Sequence, residues 1–244
     1  AALTWLWSAP AWALLSGAGL LAGFLPRPLE LWLGRRLGRI ILGLRLFKVG
    51  TTEDNIALGL PELSARERRA LLAANYEHYS ILFFEFMHFF SPLPGHFKRY
   101  SQRNCRLVNR AIWEKVSAKG KGVIFFSAHL GFWEMSAASA GLSGMNPTIV
   151  TKVLKPRWLH DKITACRSAN DVDAAFHPGS LRDILRVLRR GGIVAFMNDQ
   201  YAPPPMGIPV RFMGLKVDTL SIVGSLAKKT GAAVLPVRSL RETD

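Results

Sequence analysis

Apolar and polar positions alternate with different rhythms along the chain, and the changes of rhythm predict its elements. Residues 1–26 contain no charged side chain. As one helix they would run about 39 Å at ~1.5 Å per residue, against a hydrocarbon core of about 30 Å. A membrane-spanning anchor helix is therefore expected. The rival is a helix half-buried along the interface, since Pro10 can kink it and Trp5, Trp7 and Trp12 suit the headgroup level. Gly19 and Gly23 form a small-residue pair of the kind that brings helices together. Beyond Pro26, LELWLGRRLGRIILGLRLFKVG mixes Leu, Ile and Trp with arginines at helical spacing. That pattern fits a basic amphipathic helix on a membrane surface or a core-packing helix with a basic solvent face. Next, Ser64 and Glu67 form a capping box opening a long helix, with Leu71, Leu72, Tyr76, Tyr79, Leu82, Phe83 and Phe86 as its apolar side. Glu85 and His88, three apart on that helix, read as a surface pair.

From residue 120 short apolar runs alternate with helical segments. Residues 123–127, 148–151, 193–198 and 232–237 read as buried strands, and helices are expected near 132–142, 157–168, 180–190 and 219–230. Ser180 and Asp183 start one of these helices, Gly191 and Gly192 end it, and Gly231 stops the last. This alternation predicts an α/β fold with a largely parallel sheet flanked by helices, preceded by the membrane helix and a helical segment. Three regions follow: an anchor over 1–26, a basic and amphipathic helical segment over 27–119, and an α/β core over 120–244. In such sheets ligands gather outside the carboxyl ends of the strands, where His129 and Asp199 are both expected.

Charge narrows the partners. The formal net charge of +15 favours anionic lipid, a phosphorylated substrate, an acidic carrier protein or nucleic acid, and the apolar N-terminus argues against nucleic acid. The basic residues Arg27, Arg35, Arg36 and Arg39 follow the apolar stretch instead of preceding it, unlike a cleaved signal peptide, and place the following domain on the cytoplasmic face. Cys105 and Cys166 stand far apart in no metal-ligand or redox spacing, so neither a metal nor a disulfide is expected.

The chemistry concentrates in FFSAHLGFWEM, where His129 follows a strand and Glu134 lies five positions on. In a continuous helix such residues diverge by about 140°. A bend at Gly131 would bring Glu134 back under the imidazole, fixing its tautomer and leaving the other ring nitrogen to accept a proton. Ser127 lies in no Gly-x-Ser-x-Gly elbow, so the nucleophile would be a hydroxyl of the substrate.

The segments NIALGLPELSARERRALL, AHLGFWEM, ILRVLRRGGIVAFMNDQ and FMGLKVDTLSIVGSLAKKTGAAVLPV give the chain a near full-length resemblance to a known family. It resembles the late (lauroyl or myristoyl) acyltransferases of lipid A biosynthesis, within the lysophospholipid acyltransferase superfamily and its His-x4-Asp/Glu motif. The resemblance implies a glycerol-phosphate-acyltransferase-like core with His129 as general base and Glu134 as its orienting acid. Arg167 and Lys152 would bind phosphate or the acyl-transfer oxyanion, and Asp199 with Gln200 would line the acceptor pocket. It also implies an acyl carrier protein as donor, a phosphorylated lipid A precursor as acceptor, membrane lipids as surroundings and no cofactor. The location implied is the inner membrane, single-pass or monotopic, with the catalytic domain cytoplasmic. Alternatives are an acyl-CoA-dependent O-acyltransferase acting on another glycolipid such as a phosphatidylinositol mannoside, or a catalytically inactive membrane-binding homologue. Phe132 stands where the family commonly has Asn, and Arg211 where Pro is usual. The chain stops at RSLRETD whereas relatives run on, so a C-terminal truncation is expected.

Overall fold

The computed structural model describes residues 2–242, with side chains from residue 9 onward, so those of Trp5 and Trp7 lie outside what is described. The chain divides into two compact units, one of residues 9–96 and 211–217, the other chiefly of residues 97–210 and the stretch from 218 onward. The first is built on four helices, α1 (Ala2–Ala22), α2 (Arg27–Gly43), α3 (Val49–Gly59) and α4 (Ala65–Phe89).

The expected membrane-spanning anchor is not supported. Among the described residues no helix is long and apolar enough to cross a membrane. Length is present in the 21 residues of α1, but Thr, Ser, Pro, Gly and Trp thin out its leucines. Near its end α1 lies against protein: a Cβ on Gly19 would stand 2.6 Å from the Ser91 nitrogen and 2.7 Å from the Met87 carbonyl oxygen. Trp12 meets Phe90 edge-on, ring centroids 6.4 Å apart. The single-pass location is likewise unsupported.

Helices α2 and α4 approach until their backbones touch. A Cβ on Gly34 would stand 2.6 Å from Ile81 Cγ1, and one on Gly38 2.6 Å from Glu77 Cα and the Tyr76 oxygen. These two glycines, one turn apart, remove the side chains that normally keep helix axes separated. The capping box of α4 forms as expected, with the Ser64 amide donating to Glu67 at 2.8 Å and the Glu67 amide to Ser64 Oγ at 3.3 Å.

Glu85 and His88 are not on the surface; they are 1% and 3% exposed. Arg27 donates to Glu30 at 3.0 Å and to Glu85 at 2.5 Å, and His88 Nε2 stands 3.4 Å from Glu30. His88 Nδ1 in turn shares a 2.8 Å hydrogen bond with His96 Nε2. A reading of α4 alone makes this face polar and therefore outward. Arg27 and Glu30 on α2 supply the counter-charges that allow it to be buried. Burial opposes ionisation of Glu30, but the hydrogen bond from His88 and the charge of Arg27 outweigh it, so its pKa lies below the ordinary carboxylate range. Arg27 is thus an internal counter-ion, and Arg39 pairs with Glu77 at 2.7 Å.

In the second unit, α5 (His96–Asn104) and α6 (Arg110–Ser117) precede β1 (Val123–Ser127), α7 (Trp133–Leu142), β2 (Thr148–Lys152) and α8 (Arg157–Ser168). There follow β3 (Asp173–His177), α9 (Leu181–Arg189), β4 (Ile193–Met197), β5 (Gly207–Phe212), β6 (Leu215–Leu220), α10 (Ile222–Thr230) and β7 (Ala233–Pro236). Five strands form one wholly parallel sheet in the order β3-β2-β4-β1-β7, and β5 with β6 make a separate hairpin. Alternate residues of a strand face opposite ways. Ile124, Val194 and Phe196 accordingly pack against Ile184, Leu188, Val223 and Leu226 of α9 and α10, while Val123, Phe125 and Ile193 pack on the other face with Ala140 and Met145. The four expected strands are present as β1, β2, β4 and β7 within a residue or two of their expected ends. Strand β3 and the hairpin are additions. The sequence DAAFH holds too few large apolar residues to announce a strand, and the hairpin grows out of the proline-rich YAPPPMGIP.

Candidate active site

Adjacent strands β1 and β4 run in register, Ser127 opposite Met197. The Asn198 amide continues the ladder by one step, donating to the Ser127 carbonyl at 2.8 Å. His129 and Asp199 leave the sheet together at its carboxyl edge. The His129 amide donates to Asp199 Oδ2 at 2.9 Å, and His129 Nδ1 lies 2.8 Å from Asp199 Oδ1. Partial burial opposes ionisation of Asp199, but the hydrogen bonds from the amide and imidazole of His129 outweigh it and hold its pKa below the ordinary range. An ionised carboxylate only accepts hydrogen bonds, so the Nδ1 facing it carries the proton and Nε2 is the basic nitrogen. Trp133 packs edge-on against the imidazole at 5.0 Å and 86°. The side chains of His129 and Asp199 remain 30% and 36% exposed, so a substrate can reach them.

The bend expected at Gly131 is present, with φ of +58°. A Cβ there would also stand 2.8 Å from Ser239 Oγ, so both conformation and space call for glycine. The bend does not deliver Glu134 to His129. Helix α7 begins at Trp133, and Glu134, in its first turn, is buried against α8. There Arg167 grips both carboxylate oxygens, Nε to Oε2 at 2.9 Å and Nη2 to Oε1 at 2.5 Å. The side chains of this pair are 11% and 6% exposed. The carboxylate hydrogen-bonded to His129 is Asp199, expected only as a pocket residue, and the carboxylate expected there is bound to Arg167. Burial and then the charge of Glu134 push the thiol of Cys166, next to Arg167 on α8, up to about 12.

Of the other expected binding residues, Lys152 is exposed at the carboxyl end of β2 and Gln200 is exposed next to Asp199. Strand β2 pairs with β4 only at Thr148 and Ile149, so Lys152 stands at an end of β2 that β4 does not accompany. Two features escaped the sequence reading. Trp133 wedges the imidazole, and Asn198 is tied to the hairpin through Thr219, whose hydroxyl donates to the Asn198 carbonyl at 2.9 Å. Trp133 sits beside Glu134 in a motif whose charged members drew attention, and the tie depends on a hairpin that had no sequence signal.

The wholly parallel sheet thus presents a carboxylate-held imidazole at its carboxyl edge. The model of the bacterial lipid A biosynthesis acyltransferases matches residues 4–244, and the chain belongs to that family. A lipid A biosynthesis lauroyltransferase of Escherichia coli (strain K12) is 23% identical over 244 residues, spanning 99% of this chain and 75% of that enzyme. The chain is an acyltransferase.

Proposed function

We propose that this enzyme transfers a fatty acyl group from an acyl carrier protein to a hydroxyl of a phosphorylated lipid A precursor, with His129 as general base. The observation that carries the reading is the hydrogen-bonded pair of His129 and Asp199 at the ends of adjacent parallel strands. Nε2 of His129 takes the proton of the acceptor hydroxyl as its oxygen attacks the thioester carbon. The imidazolium that forms is stabilised by Asp199. Collapse of the tetrahedral intermediate breaks the carbon–sulfur bond, and the proton passes from Nε2 to the departing sulfur, giving an ester and a carrier thiol. Arg167 is held by Glu134 through Nε and Nη2, and Lys152 offers a cation at the carboxyl end of β2 for a phosphate.

The helical unit supports association with a membrane surface. Phe24, Trp32, Phe47, Tyr79 and Phe83 are each at least half exposed, and Arg36 stacks over Trp32 at 5.3 Å. Exposed aromatics beside arginine suit the headgroup region of an anionic leaflet.

The test is acyl transfer from labelled acyl carrier protein into a lipid A precursor, comparing wild type with His129→Ala. Loss of transfer with the protein folded supports the base. Equal rates would sink the catalytic reading, and transfer from acyl-CoA alone would sink the donor.

A further inference from the structure

Three arginines on helices α6 and α8 of the α/β unit come with an acid. Arg110 of α6 pairs with Glu114 at 2.9 Å, Arg157 of α8 with Asp161 at 2.8 Å, and Arg167 with Glu134. Helix α9 departs from this habit. LRDILRVLRR, the helix and its cap, carries Arg182, Arg186, Arg189 and Arg190, all exposed, and only Arg186 has an acid, Asp183 at 2.5 Å. Among the described residues Arg182, Arg189 and Arg190 make no ion pair. Ile184 and Leu188 are buried under β4, so the arginines at i, i+4 and i+7 share the outward face. Between them is a recess of about 430 Å³ containing Leu185. Unneutralised like charges crowded on one helix repel one another. Such a face is complementary to an anionic partner.

We infer that the arginine face of α9 is the docking surface for the acidic carrier protein that delivers the acyl group. The inference rests on the donor assigned under the proposed function. Position supports it. Helix α9 follows β3 directly, so its first turn lies toward the carboxyl edge where His129 and Asp199 stand, and its buried face packs on β4, the strand that leads to Asp199. Arg182, in the first turn of α9, is the arginine of this face nearest that edge. A lipid surface fits this face less well. Membrane-binding helices set large apolar side chains beside their cations, and here only Leu181, 48% exposed, and the partly exposed Leu185 lie among the arginines, while the exposed aromatics cluster in the helical unit.

The experiment is steady-state transfer by the full chain and by the Arg182→Glu/Arg189→Glu/Arg190→Glu variant. Each is supplied with acyl carrier protein as donor and, separately, with an acyl-pantetheine thioester that has no protein part. The expected result is a KM for the carrier raised about tenfold or more and a flatter salt dependence, with the acyl-pantetheine rate and the acceptor KM unchanged. An unchanged carrier KM overturns the inference. Loss of binding to anionic vesicles with an unchanged carrier KM reassigns the face to lipid. If wild type transfers from acyl-pantetheine but not from the carrier, the donor reading fails first and this inference with it.

Discussion

His129 is held by two residues from different elements, and they have separable consequences. Asp199 fixes the tautomer, so Asp199→Asn is expected to lower kcat by about 10²-fold or more, within the range attributed to a positioned acid–base group, while the fold is retained. His129→Ala should cost at least as much. Glu134 works through another residue. Glu134→Gln keeps hydrogen-bonding capacity toward Arg167 and is expected to lower kcat less than Asp199→Asn. A larger loss in Glu134→Gln, with unfolding free energy unchanged, would return the orienting role to Glu134. The pair of Glu134 and Arg167 also holds α7 to α8. Arg167→Ala strands a buried carboxylate and is expected to cost about 3–5 kcal/mol, read by urea unfolding.

Helix α2 against α4 is the closest of the helix pairings described, and glycine makes it possible. In an exposed helix Gly→Ala gains about 1 kcal/mol. At Gly38 the new methyl would meet the α4 backbone at 2.6 Å. Gly38→Ala is therefore expected to lower stability by about 1–3 kcal/mol, as overpacking does. The buried charges of the same pair predict a pH dependence. The folded pKa of Glu30 is depressed, so its contribution is full above the ordinary carboxylate range and is lost as pH falls through the folded value. Glu30→Ala is expected to cost about 3–5 kcal/mol at neutral pH, and the gap from wild type should close on acidification in denaturant titrations.

These elements also mark how far the sequence is readable. The capping box at Ser64, the strands carrying His129 and Asp199, and helix α8 are local signals and were all legible. Residues that matter through a partner were not. The spacing of Glu134 from His129 suggested a contact, but the first turn of α7 points that carboxylate toward α8, and only the packed helix shows Arg167 waiting. Glu85 and His88 failed for the same reason, because their polarity made sense only with α2 alongside. The anchor expectation weighed length and lack of charge, but not the many residues of α1 that are only weakly apolar.

At the scale of the molecule, +15 of net charge has to be divided between partners. The helical unit presents Trp32 with Arg35 and Arg36 exposed beside the chain's largest share of bare aromatics, and the α/β unit presents α9. Removing Arg35 and Arg36 is expected to weaken binding to anionic vesicles by about 1 kcal/mol per arginine, measured by co-sedimentation at low salt, and to leave the carrier KM alone.

The Arg27, Glu30, Glu85 and His88 cluster also acts as an indexing pin. Sliding α2 along α4 by one turn, about 5.4 Å, would pull Arg27 from Glu85 and Glu30 from His88 and leave each charge facing apolar wall. The two helices consequently have one alignment, and a unit with so much exposed apolar surface is kept from sampling others. Replacing all four with apolar residues of similar size should leave stability near its original value yet broaden hydrogen exchange across α2, as the helices lose the mark that tells them where to stop.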